Sequence, residues 1–194
     1  MKRAAVFMDR DGTINEQMGY INHPSRFVLL PGVARAIRLL NDVGYLTIIV
    51  SNQSGVARGY YPIALVHEIH SLLRERLDEE AGAGVDAVFF CPHHPQGSVP
   101  GLSVDCPCRK PKIGLIDQAC GAFDIHLPSS FMVGDMCSDM EFAERAGIKG
   151  ILVQTGYGLG EIEHVLPFRK AKPVYVARNL LDAAQWIVNG EQTH

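Results

Sequence analysis

No apolar run in this 194-residue sequence approaches the roughly 18 residues that a membrane-spanning helix needs. No signal peptide is expected either. The apolar stretch Ala4–Met8 behind Met1-Lys2-Arg3 is cut off at once by Asp9. There is no basic excess: 18 Lys and Arg stand against 21 Asp and Glu, a net charge of −3, which argues against a general nucleic-acid binder. That balance still allows a local basic patch for a small anion. Internal repeats, low-complexity tracts and interdomain linkers are absent. What remains is an ordinary globular composition, 47% apolar and 20% charged, in a chain long enough to bury a full core. The expected location is the cytoplasm, where thiols stay reduced. Five cysteines then make a disulfide framework improbable, and the grouping of Cys91, Cys106 and Cys108 calls for another explanation.

Short apolar runs alternate with helical periodicity. Ala4–Met8, Leu46–Val50, Val85–Phe90, Phe131–Val133, Ile151–Val153 and Val174–Ala177 read as buried strands. Val33, Ile37, Leu40 and Val43 share one helical face that ends at Gly44. Pro62 opens a longer helix with Leu65, Ile69, Leu72, Leu73 and Leu77 inside and Gly82 near its end. Ile113–Phe123, Asp139–Ala146 and Leu180–Val188 read as further helices, and residues 91–112 as a loop without periodicity. The pattern predicts an α/β fold: one doubly wound parallel sheet with helices on both faces, and a ligand site beyond the C-terminal strand ends. It predicts a single domain over 1–194, with the loop 91–108 inserted after the third strand. The pairs His67/His70 and Lys170/Lys172 read as solvated surface, and the tail from Asn189 to His194 as frayed.

The chemistry gathers where strands end. The first runs into Asp9-Arg10-Asp11-Gly12-Thr13, the second into Ser51-Asn52-Gln53-Ser54-Gly55, and the fourth into Gly134-Asp135, with Asp139 one helical turn later. Paired carboxylates beside a buried strand are costly unless a cation or a function holds them, although the pair alone also suits a solvated turn. Asp9, Asp11 and Asp135 supply the oxygen ligands that Mg²⁺ prefers. One carboxylate can attack phosphorus, and a second can protonate the leaving oxygen and then deprotonate water. Ser51 and Lys110 suit the charge on a transferring phosphoryl group. Cys91, His93, Cys106 and Cys108 suit a closed tetrahedral Zn²⁺ site. His94 competes for the nitrogen position, but His93 has the same one-residue gap as the Cys106/Cys108 pair. With four positions filled, this metal would fix the loop that presents Arg109 and Lys110 rather than do chemistry. Cys120 and Cys137 read as ordinary thiols.

The ordered set Asp9-Arg10-Asp11-Gly12-Thr13, Ser51, Lys110 and Gly134-Asp135…Asp139 resembles the four motifs of the haloacid dehalogenase superfamily of phosphatases. The resemblance implies Asp9 as nucleophile and Asp11 as general acid/base. It implies Mg²⁺ on the carboxylates of Asp9 and Asp135 and the backbone carbonyl of Asp11, with Asp139 behind them. The strings Ser51-Asn52-Gln53-Ser54-Gly55-Val56-Ala57-Arg58-Gly59, Cys91-Pro92-His93-His94-Pro95 and Cys108-Arg109-Lys110-Pro111-Lys112 are most similar to the D-glycero-D-manno-heptose 1,7-bisphosphate 7-phosphatases. That implies a place in nucleotide-heptose and lipopolysaccharide biosynthesis, with a phosphorylated sugar as substrate. Histidinol-phosphate phosphatase is the alternative. Gln17, Tyr20, Ser51, Asn52, Gln53, Ser54, Arg109 and Lys110 are the expected substrate contacts. Met136 departs from the Lys expected after the fourth motif. A receiver-like phospho-acceptor would share the acidic pocket but has no use for Asp11 or the Cys/His loop, and a zinc-stabilised interaction module leaves the strand-end carboxylates unexplained. Many relatives carry a cap domain. Here only 14–30 and 91–112 are spare, so the site is expected to be open and the protein to be a monomer without nucleic-acid or membrane partners.

Overall fold

The computed structural model describes residues 2–190, so the end of the tail, 191–194, lies outside the described residues. Six strands form one wholly parallel sheet: β1 (Ala5–Met8), β2 (Leu46–Asn52), β3 (Ala87–Cys91), β4 (Phe131–Gly134), β5 (Lys149–Val153) and β6 (Tyr175–Ala177). Their spatial order is β3-β2-β1-β4-β5-β6. This is the doubly wound order, and the winding reverses between β1 and β4.

Period-two alternation divides the core into two layers. Val6, Met8, Ile49, Val133 and Ile151 face α1 (Val33–Asp42), α2 (Ile63–Ala81) and α6 (Leu180–Val188). Ala5, Phe7, Ile48, Val50 and Met132 face α3 (Gly114–Ala122) and α4 (Cys137–Ala146). A strand covered on both sides needs apolar residues at every position, which is why β1 reads as a continuous apolar run and is buried throughout.

Most elements fall within two residues of their expected bounds. Two shifts matter for the site. β2 extends through Ser51 to Asn52, and β3 ends at Cys91 rather than before it. Residues 158–168, which have no clear periodicity, form a short helical stretch: α5 (Gly158–Gly160), a π-turn (Glu161–Val165) and a 3₁₀ turn (Leu166–Phe168). His70 is a correction. It is buried on the inner side of α2 and not solvated, while its neighbour His67 is exposed. Among the described residues no helix is long and apolar enough to cross a membrane, and no cap domain covers the sheet.

Candidate active site

The register sets the site. Met8 pairs with Ile49 and with Val133, so β1 and β4 finish nearly level while β2 runs on through Ser51 to Asn52. Asp9 follows β1 and extends its ladder by one bond, from its N–H to Val133 O at 2.9 Å. Asp135 follows β4, and Ser51 lies near the end of β2. These groups meet at the reversal between β1 and β4, where an open sheet leaves a crevice. The crevice is a cleft of about 420 Å³, and Asp9, Asp11, Ser51, Arg109, Lys110 and Asp139 are among the residues that line it.

Lys110 is the central cation. Its Nζ lies 2.8 Å from Asp9 Oδ1 and 2.7 Å from Asp139 Oδ1, and it is almost fully buried. Burial opposes its charge, but Asp139 and Asp9 outweigh that and raise its pKa above the usual lysine range. Asn52 clamps the Lys110 backbone: its Nδ2 donates to Lys110 O at 3.2 Å and its Oδ1 accepts from Lys110 N at 3.0 Å. The other Asp139 oxygen accepts from Met136 N–H at 3.2 Å at the start of α4. Both Asp139 oxygens are therefore engaged within the protein.

Asp135 is different. Its Oδ2 accepts from Tyr157 N–H at 2.8 Å, but its Oδ1 is buried with no partner. Gly12 and Gly156 pass so close to this carboxylate that a Cβ on either would collide with it, and both have positive φ. Burial, then Asp9 and Asp139, push the Asp135 pKa up to about 8. Burial, partly offset by Lys110 and reinforced by Asp139, pushes Asp9 up to about 6. Three carboxylates with ligand atoms within 4.8 Å of one another, one holding an orphaned buried oxygen, form an acidic niche that fits a divalent cation.

Asp11 points into a different environment. Arg10 Nη2 reaches its Oδ2 at 2.8 Å, Asn15 Nδ2 its Oδ1 at 3.0 Å and Gln53 Nε2 its Oδ2 at 2.9 Å. Burial raises its pKa, but Arg10 and the Asn15 hydrogen bond outweigh that and lower it. Two carboxylates two residues apart are thus driven in opposite directions in the metal-free protein, Asp9 up by burial and Asp11 down by Arg10 and its hydrogen bonds.

The sulfur cluster is built between β3 and α3. Cys91 Sγ lies 3.2 Å from Cys106 Sγ, and Cys106 Sγ 3.1 Å from Cys108 Sγ, well beyond the roughly 2.05 Å of a disulfide. His93 Nδ1 lies 3.5 Å from Cys108 Sγ and 3.8 Å from Cys91 Sγ. Three buried thiols around one imidazole nitrogen form the donor set of a structural zinc site. His94 faces elsewhere: its Nδ1 accepts from Gln96 N–H at 3.0 Å and its Nε2 lies 3.1 Å from Arg58. Cys120 is exposed, Cys137 is buried, and neither joins the cluster.

Among the expected substrate contacts, Gln17, Tyr20, Ser54 and Arg109 line the cleft, with Tyr20 edge-on to Tyr60 at 4.8 Å. Ser51, Asn52, Gln53 and Lys110 line the cleft as well. Gln53 is almost fully buried, and its amide is taken up by Asp11, Ser51, Arg10 and Tyr61. Asn52 likewise turns its amide to the Lys110 backbone. Arg10, Asn15 and Tyr157 carry no role in the sequence reading, and His70 reads there as surface. Only Arg10, between two aspartates, carried a visible signal.

Comparison with known proteins agrees with this geometry. A family model described as "HAD-hyrolase-like" matches residues 107–183. A D-glycero-D-manno-heptose-1,7-bisphosphate 7-phosphatase from Thermosynechococcus vestitus is 44% identical over 194 residues, covering 96% of each chain. The D-glycero-beta-D-manno-heptose-1,7-bisphosphate 7-phosphatase of Escherichia coli is 39% identical and covers 78% of this chain and 80% of that protein. The solved D,D-heptose 1,7-bisphosphate phosphatase from B. bronchiseptica, complexed with magnesium and phosphate, superposes with a TM-score of 0.84 at 31% identity, covering 97% of this chain and 99% of that one. The chain belongs to the haloacid dehalogenase superfamily of phosphatases, in the family of the heptose bisphosphate phosphatases.

Proposed function

We propose that this chain hydrolyses the 7-phosphate of D-glycero-D-manno-heptose 1,7-bisphosphate, through an aspartyl-phosphate on Asp9, in nucleotide-heptose biosynthesis. The observation that carries the reading is the convergence of Asp9, Asp11 and Lys110 on one cleft, with the buried Asp135 carboxylate within 4.8 Å of that of Asp9. A chain that is 44% identical along nearly its whole length bears the corresponding name. Nothing in the site favours the histidinol-phosphate alternative.

Asp9 attacks phosphorus with one carboxylate oxygen, and the bond between phosphorus and the sugar oxygen breaks. Asp11 gives its proton to that leaving oxygen, so the sugar departs as an alcohol. Asp11, now a carboxylate, takes a proton from water as the water attacks the acyl phosphate. Inorganic phosphate and free Asp9 result, and Asp11 is protonated again. Arg10 lowers the Asp11 pKa in the free protein. An incoming phosphate dianion pushes it back up by like-charge repulsion. Ser51 and Lys110 donate to the phosphoryl oxygens as charge moves onto them. Mg²⁺, held by the carboxylates of Asp9 and Asp135 and the backbone carbonyl of Asp11, would supply the positive charge that lets an anionic phosphate approach an anionic nucleophile. Asp139 holds Lys110 rather than the ion, since both its oxygens are engaged.

Cys91, His93, Cys106 and Cys108 would hold a structural Zn²⁺, which would stiffen the loop carrying Arg109 and Lys110. Arg109 grips a phosphate in two-point fashion, and Gln17, Tyr20 and Ser54 border the sugar. The chain works as one domain over 1–194 with the zinc loop 91–108 inserted after β3. It acts as a cytoplasmic monomer without nucleic-acid or membrane partners. The test is phosphate release from both anomers of the heptose bisphosphate and from histidinol phosphate, with and without Mg²⁺. Preference for histidinol phosphate, or unchanged turnover in Asp9→Asn, overturns the reading.

A further inference from the structure

His70 lies on α2, outside every motif of the reaction, yet it is 7% exposed and its Nε2 sits 3.3 Å from Arg10 Nη1. Arg10 is 2% exposed and is held on three sides. Its Nε and Nη2 grip Asp11 at 2.8–3.1 Å, its Nη2 also reaches Gln53 Oε1 at 3.1 Å, and its Nη1 faces His70. A guanidinium never gives up its proton, so His70 Nε2 is the acceptor and the ring hydrogen sits on Nδ1. Burial, and then the charge of Arg10, keep His70 neutral by pushing its pKa down to about 3. The Phe90 ring packs edge-on against the imidazole at 5.4 Å and fixes its plane.

The contacts continue on the far side of Arg10. The Gln53 amide has two donors and an oxygen with two lone pairs, and all four are used. Nε2 donates to Asp11 Oδ2 at 2.9 Å and to Ser51 Oγ at 2.8 Å. Oε1 accepts from Arg10 at 3.1 Å and from Tyr61 OH at 3.2 Å. Because Ser51 Oγ accepts here, its own hydrogen is free to point into the cleft.

We propose that His70 is a positioning residue for the reaction: a buried, uncharged acceptor that fixes Arg10, and through Arg10 fixes the Asp11 carboxyl. The inference rests on Asp11 acting as the acid/base. Removing the acceptor frees one edge of Arg10, so the guanidinium turns and Asp11 loses its alignment with the leaving oxygen. Alignment of one group matters only to the step in which that group transfers a proton. The defect therefore falls on esters whose leaving oxygen must be protonated.

The test compares two esters in single-turnover experiments. The heptose bisphosphate leaves as an alcohol and needs the proton, whereas p-nitrophenyl phosphate leaves as a stable anion and does not. His70→Leu removes the acceptor, and His70→Gln restores one at similar reach. Out of a general-acid contribution of about 10²–10⁴, His70→Leu is expected to slow the first turnover of the sugar ester about ten- to a hundredfold. The first p-nitrophenolate burst changes by less than about threefold, KM for the sugar ester stays within about twofold, and His70→Gln recovers most of the loss. If His70→Leu does not fold, His70→Asn, whose amide stops short of Arg10, takes its place. Asp11→Asn serves as the reference. If it shows the split between esters and the His70 variant slows both equally or neither, the positioning role is overturned and the acid/base reading stands. If Asp11→Asn shows no split, both fall.

Discussion

Asp135→Asn is expected to make the magnesium-free protein more stable while abolishing its activity. The wild-type side chain is 0% exposed, its Oδ1 has no partner, and its pKa is pushed up to about 8 by burial and by Asp9 and Asp139. In an unfolded chain an Asp titrates near 3.9. Between the two values the folded protein holds a proton that the unfolded chain has released. Stability therefore falls as pH rises from about 4, and the fall levels off above the folded pKa. At a little over 1 kcal/mol per pK unit, the ionised group costs roughly 5 kcal/mol at pH 8 and about 1–2 kcal/mol at pH 5. The Asn replacement removes this charge but brings an amide to the place where Oδ1 has no partner, which costs about 1–3 kcal/mol. The net gain is about 2–4 kcal/mol at pH 8 and near zero at pH 5. For a chain of this size that is a rise in Tm of about 4–16 °C at pH 8. Calorimetry at both pH values, in magnesium-free buffer that leaves the zinc in place, measures it. Saturating Mg²⁺ should then narrow the gap, since an ion at a hundred times its Kd stabilises only the wild type, by about 2.7 kcal/mol. A variant less stable than wild type at pH 8, or an equal difference at both pH values, would refute the reasoning.

Three further outcomes are expected. Asp9→Asn should lose turnover while keeping its Tm within a few degrees, read by phosphate release and calorimetry. Lys110→Met should lower kcat by about 10²–10³ through the lost phosphoryl contact. The same change should lower stability by about 3–5 kcal/mol in denaturant titration, because Asp9 and Asp139 are left without their shared cation. Wild-type protein should carry one zinc per chain by atomic absorption. Cys106→Ser should lose it and fall at least about tenfold in kcat, since Cys108 and Lys110 are two residues apart on the loop that the metal fixes.

Much of the site was legible because its motifs are local. Asp9 and Asp11 share one strand end, and Cys106 and Cys108 share one turn, so spacing alone suggests joint action. Other contacts were not legible because burial depends on partners distant in sequence. His70 looks like surface beside His67, and both rings meet Phe90, but only His70 is buried and reaches Arg10. Gln53 and Asn52 looked like donors for a ligand. Their partners, Asp11 and the Lys110 backbone, lie 42 and 58 residues away.

By itself the sequence determined the alternation of strands and helices, the parallel sheet and the strand ends on which chemistry gathers. Periods of two and 3.6 residues, and the need of a doubly covered strand for unbroken apolar residues, are properties of short segments. The tertiary structure decided the order β3-β2-β1-β4-β5-β6 and the level register that sets Asp9 beside Asp135 across more than a hundred residues. It also decided which of two adjacent histidines faces the thiols, and that one oxygen of Asp135 is left without a partner. These are consequences of long-range packing, in which the environment of a side chain is set by segments its own neighbours in sequence do not encode.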